Sequence, residues 1–363
     1  MALMMGATAG INAVAPSTAS AEISDKFRME VNGYHSYTID NGRVGYNYYD
    51  KNGNRKNNFW GGYTRLVLQY NLDKNTRLQA RLHSNYENVG DFMKNQNETG
   101  AYFDQSFLEF KDRPAKMTYT IGKKGAYMGQ GMVYNSSGNL TGGSVQWGNW
   151  WEPNNFAVYY GDRSNGDRVK AVNGNVGLAK NVVLSATYVN ATKSIATNEK
   201  YYTYNDAGTK RSTHYYNSNI GKYTRNRILS FGVKAKLPEF TIVGEYAHNM
   251  NGSIAAANAL KGWYVEVYTG PTNDATSGMP VQKPGTNMWS LKYQDIGYNA
   301  TYVHNTTFYD DRKGFRLNYG HTFKKGLSAD IAIGRYKNKG VYSKNRKGDM
   351  ENIIVAEVCY KFR

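Results

Sequence analysis

The chain has 363 residues, a formal net charge of +17 and a mean hydropathy of -0.67. No stretch approaches the roughly 18 consecutive apolar residues of a spanning helix, which excludes an integral membrane protein built of helices. With 32 Tyr, 13 Phe and 6 Trp the chain is too aromatic for disorder, and strands that are apolar on one face only remain open to it.

Small and apolar residues run from the N-terminus to Ala19-Ser20-Ala21, an A-x-A pattern with cleavage expected after Ala21. This predicts a secretory signal peptide over 1–21 and one barrel domain over 22–363. No Lys or Arg precedes the apolar stretch, a departure from the usual signal pattern.

From Phe27 onward the chain alternates with period two, the spacing of a strand with unlike faces. In "TRLQARLHS", Leu78, Ala80 and Leu82 oppose Arg77, Gln79, Arg81 and His83. In "ILSFGVKAKL", Leu229, Phe231, Val233 and Ala235 oppose Ser230, Gly232, Lys234 and Lys236. "GFRLNYGHTF" sets Phe315, Leu317 and Tyr319 against Arg316 and Asn318, and "LSADIAIG" sets Ile331 and Ile333 against Asp330.

The connections alternate too. Short ones fall at Asp73–Asn75, Lys111–Ala115, Glu152–Asn155, Ala179–Asn181, Pro238–Glu239 and Lys324–Gly326. Long polar ones fall near 38–58, 88–101, 123–143, 193–223, 295–312 and 336–350, with shorter ones near 161–168 and 250–258. Short periplasmic turns and long extracellular loops mark a transmembrane β-barrel. Residues 269–286 break the rule as either one extended turn or an additional hairpin. The prediction is an all-β, antiparallel barrel of about 16 strands.

The final strand, "NIIVAEVCYKFR", puts Ala356, Val358, Tyr360 and Phe362 on one face and Glu357, Cys359 and Lys361 on the other. It is expected to close against Phe27–Tyr37, with Tyr360 and Phe362 in an interfacial aromatic girdle. Cys359 is the one cysteine and forms no internal disulfide.

The same alternation sets Arg65, Arg77, Arg81, Lys234, Lys236, Lys292 and Arg316 opposite outward apolar residues, so they are expected to line the interior. Basic rings of that kind favour anions; Glu30 and Glu357 dilute the field without balancing it. The basic residues are spread along strands and not clustered, which argues against a nucleic-acid partner. Lys210, Arg211, Lys222, Arg225 and Arg227, in or beside the 193–223 connection, suit contact with outer-membrane lipid and lipopolysaccharide.

"MTYTIGKKGAYMGQGMVYNSSGNLTGGSVQWGN" resembles the fifth strand and third loop of the general porins of the Gram-negative outer membrane. "KGWYVEVYTG" and "YQDIGYNA" resemble porin barrels that in some bacteria carry an N-terminal surface-layer homology domain. The resemblance implies a third loop folded into the lumen, with Lys123, Lys124, Tyr127, Gln130 and Tyr134 at the constriction. It also implies a homotrimer that passes small hydrophilic solutes and ions and has no enzymatic activity.

Chemistry of other kinds is not indicated. The six His are scattered without metal-ligand spacing, and Gly125, Gly129 and Gly131 are not followed by a helix pattern, so neither a metal nor a cofactor is expected. His35-Ser36 and His83-Ser84 point to opposite faces, which argues against a nucleophile–base couple. The expected function is a weakly anion-preferring outer-membrane diffusion porin. A substrate-specific anion porin and a structural or adhesive surface barrel are the alternatives.

Overall fold

The computed structural model describes residues 25–40, 48–49, 55–56, 58–88, 101–149, 152–163, 168–192, 200–204, 210–215, 226–250, 259–270, 279–302, 308–340 and 347–362. Sixteen strands form a closed antiparallel barrel. In chain order they are β1 (Phe27–Asp40), β2 (Asn58–Asn71), β3 (Thr76–Asn88), β4 (Ala101–Asp112), β5 (Met117–Met128), β6 (Tyr134–Trp147), β7 (Asn155–Asp162) and β8 (Arg168–Ala179). The second half comprises β9 (Val182–Thr192), β10 (Asn226–Lys236), β11 (Thr241–Asn249), β12 (Lys261–Tyr268), β13 (Asn287–Ile296), β14 (Arg312–Lys324), β15 (Leu327–Asn338) and β16 (Met350–Phe362).

Each strand pairs with its chain neighbours, and β16 closes on β1 with Val31 opposite Phe362 and Asp40 opposite Ile353. Closure leaves no unpaired edge. At this seam Tyr360 lies along the outer face, its hydroxyl 2.5 Å from Thr64 Oγ1 and its ring stacked on Phe362. Its ring covers Gly33, where an added Cβ would strike the Tyr63 carbonyl oxygen and the tyrosine ring, so only glycine fits this crossing.

The two-residue period sorts side chains around the whole barrel. On β12, Trp263, Val265 and Val267 are exposed outside while Tyr264, Glu266 and Tyr268 are buried inside. On β13, Trp289, Leu291 and Tyr293 face out and Ser290, Lys292 and Gln294 face in. Exposed apolar residues such as Val158, Val233, Leu317, Ile333 and Ile354 continue this outward surface on other strands.

Most tight turns lie at the end of the barrel where β1 starts and β16 finishes: 72–75, 113–116, 180–181, 237–240 and 325–326. Asp73 shows why such turns form. Its Oδ1 accepts from Asn75 N at 2.6 Å and Thr76 N at 2.8 Å. The Asn75 amide, first among these donors, holds the Asp73 carboxyl below its ordinary pKa.

Residues 269–286 form one extended connection, because β12 pairs directly with β13 and no strand intervenes among the described residues. It carries a 3-10 helix at Met279–Val281 and is tied to the neighbouring turn by Gly326 N to Pro280 O at 2.7 Å. The 38–58 and 193–223 connections each contain a small two-stranded hairpin, Tyr48–Tyr49 with Arg55–Lys56 and Lys200–Tyr204 with Lys210–Tyr215. The proposed signal peptide and the side chains of Lys210, Arg211, Lys222 and Arg225 lie outside the described residues.

The largest correction concerns the expected loop over 123–143. Strands β5 and β6 extend far into it and leave a turn of only 129–133. Gly129 at φ 62° and Gly131 at φ 89° permit this tight reversal.

Candidate functional site

The β5–β6 hairpin crosses the barrel interior and docks on the opposite wall. Gly129 N donates to Asn173 Oδ1 on β8 at 2.7 Å. Gln130 N and Met132 N donate to Glu245 Oε2 on β11 at 3.1 and 3.0 Å, while Ser230 Oγ on β10 donates to the other carboxylate oxygen at 2.8 Å. Gln130 Nε2 donates to Ser185 Oγ on β9 at 3.2 Å, and Tyr264 Oη on β12 donates to Gln130 O at 2.9 Å. Side chains on β8, β9, β11 and β12 thus satisfy the polar groups of the tip, and Ser230 on β10 steadies the Glu245 carboxylate. Around them Met128, Met132, Val133 and Tyr134 are buried with Val169, Val189, Ile228 and Val243 in an apolar core inside the barrel. The loop itself carries no acid between Lys123 and Gly143; the acid that meets it stands on the wall.

Of the residues expected at the constriction, Gln130 sits at the tip, Tyr134 is buried and Tyr127 packs on Gly131. Lys124 faces in and donates to Glu109 Oε2 at 2.8 Å. Lys123 does not face the interior. It pairs opposite Ser106 on the outer side of the wall, and its ammonium donates to Phe103 O at 3.3 Å. A register shift between Lys124 and Ala126 separates the hairpin arm from the strand below it.

The opposite interior wall, β1–β4, is polar and charged. Arg81 grips Asp104 with two bonds, Nε to Oδ1 at 2.7 Å and Nη2 to Oδ2 at 2.6 Å. Arg65 Nε lies 3.7 Å from the same carboxylate. His83 Nδ1 is 2.9 Å from both Asp104 Oδ2 and Arg65 Nε, so a protonated Nδ1 serves the carboxylate and a bare one serves the arginine. Asp104 reaches this position because β4 is bulged there: Arg81 pairs with Gln105 but Leu82 with Phe103, and Asp104 is the extra residue. Rings complete the strip, with Tyr34 on Tyr63 at 4.6 Å, Tyr63 on His83 at 4.9 Å and His83 stacked on Tyr102 at 5.3 Å. The Arg65 guanidinium lies 3.8 Å from the Tyr63 ring centre.

A second acid, Glu109, takes Arg77 at 2.9 Å and Lys124 at 2.8 Å. Nearer the β1 start, Lys361 bridges to Glu30 at 3.1 Å across the closing seam. A cavity of about 610 Å³ opens here against Arg28, Glu30, Asn32, Gln69, Gln79 and Arg81.

The other basic residues divide. Lys234 and Lys236 are on the inner face of β10 and exposed. Lys292 and Arg316 also face in, yet are 3% and 6% exposed. Phe308 roofs Lys292 with its ring centre 4.1 Å from Nζ, and Tyr309 Oη accepts from Arg316 Nη1 at 3.2 Å. Asp330 on β15 and Glu357 and Cys359 on β16 bring their ligand atoms within 4.8 Å of one another. That grouping of carboxylates and thiol by itself assigns no ion.

Alternation signals which face a residue takes, and it is the one signal these residues carried. Asp104, Glu109, Glu245 and Gln294 were missed because an inward polar residue looks the same in sequence whether it meets water, a base or a loop.

No protein-family model matches the sequence, and no curated protein is similar to it at a significant level. Solved structures do share the architecture. A triple mutant of the Rhodopseudomonas blastica porin is similar with a TM-score of 0.52 at 11% identity, covering 93% of this chain and 100% of that one. Pseudomonas putida OprB is similar with a TM-score of 0.55 at 9% identity, covering 95% of this chain and 96% of that one. At such identities the likeness is one of fold.

Proposed function

We propose that this chain is an outer-membrane porin, a passive diffusion channel for small hydrophilic solutes. One observation carries the reading: a closed barrel with apolar side chains facing outward all round holds an inward-docked hairpin opposite a charged interior wall. An outward apolar surface of this extent costs free energy in water and is stabilised in hydrocarbon. The likeness to porin structures supports the same reading. Export by the 1–21 segment, contact with lipopolysaccharide, assembly as a homotrimer and lack of enzymatic activity belong to this proposal.

Solutes pass between the hairpin and the β1–β4 wall, and size is limited there. Pairing of Arg65 and Arg81 with Asp104, and of Arg77 with Glu109, lowers the positive field of the wall. Lys234 and Lys236 add exposed positive charge on the inner face, so the expected selectivity is a weak preference for anions.

Planar-bilayer recording under a salt gradient tests this. Arg77→Gln with Arg81→Gln should leave the barrel folded and move the zero-current potential toward cations, because Asp104 and Glu109 then act with fewer counter-charges. Arg168→Gln with Lys170→Gln, on the rim and the outer face of β8, should do much less, since exposed charges are screened within about 8 Å at physiological salt. A potential that follows the β8 pair and ignores the β3 pair would contradict the assignment.

A further inference from the structure

Inside the barrel, the connection between β13 and β14 meets the tip of the β5–β6 hairpin. Its first part is anchored by Gly297 N to Lys261 O at 2.9 Å and Asn299 N to Ala259 O at 2.8 Å. Asn249 Nδ2 adds a bond to Asn299 O at 3.0 Å. Tyr302 N then donates to Val133 O, in the hairpin turn, at 3.2 Å, and its ring lies 6.0 Å from that of Tyr134. On the way out, Phe308 packs edge-on against Tyr264 at 4.8 Å, the residue whose hydroxyl holds Gln130.

Tyr309 is clamped by its backbone. Gln294 Nε2 donates to Tyr309 O at 2.7 Å, and Gln294 Oε1 accepts from Tyr309 N at 3.4 Å. Gln294 is 1% exposed, so water does not substitute for either bond. One side-chain amide supplies the donor and the acceptor that a paired strand residue would supply. The Tyr309 ring meets Tyr336 at 4.9 Å, which sets this part of the chain against the β15 wall as well.

We propose that residues 297–302 and 308–311 form a second constricting element, interlocked with the hairpin, and that Gln294 is its positioning residue. The inference rests on the porin reading and extends it: two segments, not one, set the open cross-section along the β1–β4 wall. Lys292 and Arg316, roofed by Phe308 and Tyr309, serve this element and not the solute.

Gln294→Leu retains the volume and removes both hydrogen bonds. In a Cys359→Ser background it should raise single-channel conductance by about 1.5-fold or more, since conductance follows the open section of the pore. Larger polyethylene glycols should then enter. Val133→Cys with Tyr302→Cys, oxidised, ties the two segments and should return the Gln294→Leu channel to wild-type conductance, which a mere loss of stability would not do. Heat-modifiable gel mobility reports whether each barrel is folded. Where Gln294→Leu does not assemble, Phe308→Ala, which retains the clamp and removes the roof, should show the same rise. A folded variant with wild-type conductance and wild-type polymer exclusion overturns the proposal. A folded wild-type barrel that conducts nothing overturns the porin reading itself, and this inference with it.

Discussion

Val233→Arg is expected to block stable insertion of the barrel, while Lys234→Gln, one residue along, leaves insertion intact. Val233 lies on the outer face of β10, 40% exposed, with Phe231 at 55% beside it on the same face. An arginine there meets hydrocarbon, and the cost is roughly 2–4 kcal/mol near the bilayer midplane. Lys234 turns inward, so its neutralisation removes a charge from water without placing one in lipid. Folding into vesicles, followed by gel mobility before and after heating, measures both. Equal behaviour of the two variants would mean that the faces of β10 are reversed.

Glu245→Ala carries the second large effect. Its carboxylate accepts from Gln130 N, Met132 N and Ser230 Oγ, and it is 3% exposed. Leaving a buried donor without its acceptor costs about 1–3 kcal/mol, and truncation removes the acceptor of both tip amides. The tip is therefore expected to leave the wall, giving a larger and noisier single-channel current and a lower temperature for the heat-induced mobility shift. Glu245→Gln, which retains an acceptor, should fall between. An unchanged current from a folded Glu245→Ala barrel would show that the apolar packing of Met128, Met132 and Val133 holds the hairpin without help.

The barrel itself was legible from alternation and turns. Leu78, Ala80 and Leu82 against Arg77 and Arg81 define a strand without any tertiary information, and Phe362 opposite Val31 completes the closure expected of a terminal strand. What fills the barrel was not legible. Continued strand pairing of Tyr127 with Asn135 turns a glycine-rich stretch into a hairpin arm, and local composition resembles a loop in either case. The bulge that brings Asp104 beside Arg81 breaks the two-residue period by one position, so strict alternation misplaces it. Lys292 and Arg316 read like Lys234, yet Phe308 and Tyr309 cover the first two by folding the connection between their strands back over the inner face. Alternation determines direction; coverage is a tertiary property.

Liposome swelling with the wild-type protein tests the central claim most directly. Vesicles holding the folded barrel should swell in iso-osmotic solutions of small sugars, at rates that fall steeply as solute size increases and without saturation as concentration rises. Vesicles with the barrel inserted that swell no faster than protein-free ones would contradict a diffusion channel and leave a surface barrel in its place.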